Sequence, residues 1–97
     1  MTFEEFDALL AQARAEVDRM HEAEPLDRAI QSVRLQLAAV HEWTRGGRCP
    51  AQEEKDQLNF GAIASRELDT YPVASSLYAL ASHVIWWGHP EQPSGER

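Results

Sequence analysis

Phe3, Phe6, Leu10, Ala13, Val17 and Met20 follow one another at alternating steps of three and four. That spacing draws one apolar stripe along an α-helix and cannot line one face of a strand, whose side chains repeat every second residue. Thr2 and Glu5 stand as T-x-x-E in front of the stripe, the pattern of a capping box. The other faces carry Glu4, Glu5, Asp7, Arg14, Glu16, Asp18 and Arg19. Arg14 and Asp18, four apart, are placed to add a weak surface pair.

Three more stretches repeat this period. Pro25 is expected at the first position of a second helix, where its missing N–H does no harm. Leu26, Ile30, Val33, Leu37 and Val40 form that helix's stripe. Leu35, Ala39 and Trp43 widen it, so the helix is expected to be covered on two sides. Gly46-Gly47 ends it. Pro50 is expected to open a third helix, with Glu53 and Glu54 at the favourable end of its macrodipole. Leu58, Phe60, Ile63, Ala64 and Leu68 supply its apolar contacts. Tyr71 precedes a proline and so avoids helical geometry, which breaks the run before Pro72 restarts it. Val73, Leu77, Leu80, Val84 and Trp87 make the fourth stripe, and Gly88 closes it. No segment alternates like a strand. The expectation is an all-α domain over residues 1–88, a compact antiparallel bundle of about four helices with short connections. Residues 89–97, with Pro90, Pro93, Ser94 and Gly95, read as a loose tail.

Gly61 stands inside the third stripe, where glycine costs about 1 kcal/mol relative to alanine. Gly61 and Ser65, four apart, share a helix face. The fourth helix has small residues of its own: Ala74, Ser75, Ala81 and Ser82. Close packing of these two helices is the expected return for the weak glycine. The competing reading is a flat spot for a partner.

The 97 residues fit one domain, and a net charge of -7 narrows its partners. Nucleic acid and anionic membrane surfaces both require clustered Lys and Arg. Here Arg45 and Arg48 are the one basic cluster. Cys49 is the single cysteine, so no intrachain disulfide forms. Met1-Thr2-Phe3-Glu4-Glu5 lacks a signal peptide's apolar core, and Tyr78 to Trp87 is too short to span a bilayer. The expected location is the cytoplasm.

Catalytic and metal motifs are incomplete. His41-Glu42 begins H-E-x-x-H but meets Arg45, and His21-Glu22 meets Pro25. Cys49 and the scattered histidines lack zinc-ligand spacing. Glu67 and Asp69, two apart, diverge on a helix and cannot share acid–base work. The expectation is a protein that is not an enzyme and takes no cofactor and no metal. What remains is surface. Glu4 to Asp27 is acid-rich, either a solvated face or a steering patch for a basic partner. Trp43, Tyr71, Tyr78, Trp86 and Trp87 are expected mainly in the core, with Trp86 the best candidate for an exposed anchor.

The stretch Leu58-x-x-Gly61-x-Ile63-Ala64-x-Arg66-Glu67-Leu68-Asp69, followed by Pro72 and Leu77, resembles the signature of a small all-helical family. These are the type VI secretion immunity proteins that neutralise NAD(P)+ glycohydrolase toxins. Gln36-Leu37 and Asp7-Ala8-Leu9 add to the likeness, which runs roughly to Trp87. The resemblance implies a cytoplasmic antitoxin that binds a cognate toxin domain, encoded by a neighbouring gene, and covers the cleft that admits NAD(P)+. Glu53, Asp56, Arg66, Glu67, Asp69, Tyr71 and Trp86 surround the resembling stretch and the ends of its helices. They are the expected partner-binding set, with Gly61 and Ser65 as packing residues. The rival reading is a helical adaptor that self-associates. The stripes of the first and fourth helices would serve a homodimer of the free protein as well as a monomer core.

Overall fold

The computed structural model describes residues 1–88. The expected tail lies outside the described residues. Five α-helical segments follow one another: α1 (Phe3–Ala23), α2 (Arg28–Trp43), α3 (Gln52–Lys55), α4 (Phe60–Glu67) and α5 (Val73–Trp86). No strand occurs among the described residues. Helix α1 packs on α2 and α5, and α4 packs on α5 and α2. The four longer helices therefore close into an antiparallel bundle in the ring order α1, α2, α4, α5, with α3 as a short step between α2 and α4.

The stripes are the core. Phe6, Leu10, Val17, Ile30, Leu37, Phe60, Leu77 and Leu80 are all buried. Each fully buried side chain of this size contributes about 1.5–3 kcal/mol, which makes the stripes the dominant stabilising term. The ends are fixed locally. Glu5 N–H donates to Thr2 Oγ1, and Thr2 N–H donates to Glu5 Oε1, so the capping box forms. Gly46 and Gly47 take φ of 71° and 88° in a 3-10 turn, Arg45–Gly47, after α2.

Several expectations are corrected. Pro25 does not open α2. It lies in a turn, and Asp27 caps the helix by accepting from Ile30 N–H. Leu26 thus falls outside the stripe and is 89% exposed. Leu35, expected on a second covered face, is exposed, since the main packing of α2 is against α1 and α4. Asp18 pairs with Arg34 of α2 at 2.9 Å instead of with Arg14 of its own helix. Both side chains are half-exposed, so that pair is worth about 0–1 kcal/mol. The expected third helix is two helices, α3 and α4, separated by residues 56–59. Pro50 is buried ahead of Ala51, the N-cap of α3. Tyr71 and Tyr78 are exposed rather than core, and Trp43, Trp86 and Trp87 are half-buried.

Candidate functional site

The break between α3 and α4 is held from outside. Asn59 N–H donates to Gln36 Oε1 at 2.7 Å, and Gln36 Nε2 donates to Asn59 Oδ1 at 2.6 Å. An α2 side chain thereby takes the amide that would otherwise continue the helix from α3. Asn59 becomes the N-cap of α4, and Gly61 and Leu58 are set facing α5.

Gly61 meets α5 at a very short distance. A Cβ placed on it would lie 3.0 Å from Ala81 Cβ. The packing expectation for Gly61 is met through Ala81. Ser65 does not share in it, because it is exposed. The same closeness leaves a furrow above the contact. Leu58, Gly61, Ala62, Ala81 and Ile85 line an apolar groove of about 230 Å³. It continues through Leu58 and Ile85 into a wider depression of about 420 Å³, lined also by Gln52, Lys55, Asp56 and Trp86. Ile85 is 54% exposed at the junction of the two.

Lys55 anchors this end of the bundle. It is 8% exposed, and its ammonium donates to the carbonyls of Trp87 at 2.5 Å and Ile85 at 3.5 Å. Those carbonyls belong to the last turn of α5, where a cation is favoured by the helix dipole. Glu54 is turned the other way. It accepts from Ala51 N–H at 2.8 Å and from Arg48 at 3.0 Å. The Ala51 amide first, and Arg48 after it, hold its carboxyl below the usual 4.5 against the opposing effect of burial. Arg48 also donates to the Trp43 carbonyl at the end of α2. The basic cluster Arg45–Arg48 is thus tied into the loop, with Arg45 3.4 Å from Glu42.

The expected partner-binding set is split by the length of α4. Glu53, Asp56 and Trp86 gather around α3 and the end of α5, and Asp56 and Trp86 line the same depression. Arg66 and Glu67 stand in the last turn of α4 and line a shallow depression on the α2 side with Asp27 and Arg28. Asp69 and Tyr71 are exposed in the turn that follows. The structure therefore brings together the first group, and Arg66, Glu67, Asp69 and Tyr71 do not join it. Lys55, Leu58 and Ile85 belong to the site and were not singled out for it. The signal for Ile85 was present: it lies seven residues after Tyr78, on a stripe that Leu77, Leu80 and Val84 do not use.

Among the described residues, no group of three or more His, Cys, Asp or Glu is placed to hold a metal ion. No helix there is long and apolar enough to cross a membrane. Comparison with known proteins returns no matching family model, no matching curated protein and no matching solved structure.

Proposed function

We propose that this protein acts by binding another protein, and that its partner is a secreted NAD(P)+ glycohydrolase toxin domain, as the resemblance to the type VI secretion immunity family implies. The observation that carries the binding reading is the half-open apolar groove between α4 and α5, with Ile85 exposed in it. One side of the groove, Leu58 to Ala62, lies on the stretch that carries the resemblance, and the other side is α5. An inhibitor of this kind needs no chemistry of its own. It covers the toxin's cleft from a rigid bundle and works in the cytoplasm, where the toxin would consume NAD(P)+. Neither NAD+ nor a metal is needed for this action.

The test is to purify the product of the neighbouring gene and follow NAD+ loss with and without this protein. Suppression at a one-to-one ratio supports the reading. Undiminished loss with this protein in excess, or a neighbour without such activity, defeats it. The exposed Tyr78 and Ile85 on α5 favour a second reading, a non-enzymatic adaptor that self-associates. Sedimentation of the free protein tests this: a dimer lost in Ile85→Ser would support it.

A further inference from the structure

The groove between α4 and α5 has a polarity along its length. Its floor is the Gly61–Ala81 contact, and its apolar walls are Leu58 and Ile85. At the α3 end the exposed charge is anionic. Asp56 lines the depression, and Glu53, three residues earlier, is exposed on the neighbouring face of α3. Among the described residues, the one cation lining that end is Lys55. It is buried and directed at the carbonyls of Ile85 and Trp87. The surface presented outward is thus an apolar slot with the Asp56 carboxylate lining one end and the exposed Glu53 beside it on α3. The whole chain is acidic in the same sense, at -7.

We infer that this slot receives an amphipathic segment of a partner protein, one whose apolar side chain enters between Leu58 and Ile85 and whose adjoining Lys or Arg pairs with Asp56 and Glu53. This deepens the binding reading above and rests on it for the partner's existence. It names the chemistry of the contact: an apolar anchor with a basic flank. Charge complementarity selects that occupant. Asp56 accepts from Gln52 Nε2 at 2.9 Å and keeps its charge uncompensated by that neutral donor. An acidic flank would bring like charges together at the α3 end, and a flank without charge would gain no ion pair there. The apolar anchor mainly sets the lifetime of the complex. The carboxylates mainly set the association rate, and their effect fades with salt.

The experiment uses the full chain and two synthetic helical peptides of eighteen residues with an identical Leu/Phe face. One is flanked by Lys and Arg, the other by Glu. Fluorescence anisotropy is expected to show saturable one-to-one binding of the basic peptide, about tenfold or more tighter than the acidic one. Glu53→Lys with Asp56→Lys should abolish or invert that preference. Ile85→Ser should weaken the basic peptide at least about tenfold. Both variants alter exposed side chains, and circular dichroism checks that they remain folded. Equal affinity for the two peptides overturns the inference. So does indifference to either variant, and so does self-association abolished by Ile85→Ser, which would give the slot to a second copy of the chain. The toxin assay separates the two claims. If a neighbouring toxin is inhibited equally well by both variants, the binding reading stands and this inference falls. If the basic peptide binds as expected while the neighbour consumes no NAD+, the toxin assignment falls and the slot's chemistry stands.

Discussion

Gly61 decides how near α4 comes to α5. Its missing side chain is worth close packing, since a Cβ there would stand 3.0 Å from Ala81 Cβ. Gly61→Leu is expected to destabilise the bundle by about 1–3 kcal/mol through overpacking. The penalty of Gly61→Ala should shrink in an Ala81→Gly background, because the two sites share one contact. Denaturant midpoints of the four proteins in that cycle measure it, and additive effects would place the glycine's role elsewhere. The glycine's meaning was legible in the sequence, because a weak residue in a strong helical run requires a reason. Lys55 was not legible. Nothing in its neighbourhood distinguishes it from a solvated lysine, since the carbonyls it serves lie 30 and 32 residues away. Lys55→Met should cost about 1–3 kcal/mol by removing charge-assisted hydrogen bonds from the end of α5. Hydrogen exchange should report the loss first at the Trp87 amide, which donates to Val84 in that turn. Unchanged protection there would refute the assigned role.

At the scale of elements, long apolar stripes were readable and the point where one helix becomes two was not. The stripe of α1 runs from Phe3 to Met20 without a competing signal, and one helix forms. Between Lys55 and Phe60 the chain carries neither glycine nor proline, so local rules predict continuity. The helix stops because its amides take other partners. Gln57 and Leu58 turn back to carbonyls three residues earlier, and Asn59 N–H goes to Gln36. Gln36 lies 23 residues away, beyond the reach of any local pattern. The expected set of binding residues was gathered around a continuous third helix, and the structure distributes it over two surfaces. With the break in place, the ends of α4 belong to two separate surfaces. Gln36→Ala is expected to destabilise by about 1 kcal/mol, the net worth of a hydrogen bond whose freed amide can reach water. The loss should concentrate at the start of α4. Amide exchange at Ile63, which donates to the Asn59 carbonyl, is the local readout. A uniform loss of protection across all helices would contradict it.

Over the whole molecule, the closure of the ring between the first and last helices depends on a titratable ring. His83 of α5 stacks on Phe6 of α1 with ring centroids 4.8 Å apart, and Trp87 lies 5.2 Å from the same imidazole. Burial first, and the N-terminal ammonium second, hold His83 below its usual 6.5. The folded protein therefore prefers the neutral ring, while the unfolded chain takes up its proton near 6.5. Below that pH the unfolded state binds more protons, so stability falls with pH until the folded ring is protonated as well. Above it the contribution is complete. Glu54 acts in the same direction in a lower window. Its carboxyl is held below 4.5 in the fold, so its contribution is full above 4.5 and is lost as pH falls through the folded value. Two separate losses are thus expected on acidification, one beginning near pH 6.5 and one near 4.5. Glu54→Gln should remove the lower one alone. His83→Phe keeps an aromatic ring against Phe6 and removes the proton site, so it should flatten the upper loss and leave the lower in place. Urea midpoints of the wild type and both variants, taken between pH 7.5 and 3.5, provide the measurement. An upper loss of the same size in His83→Phe would show that another group governs it.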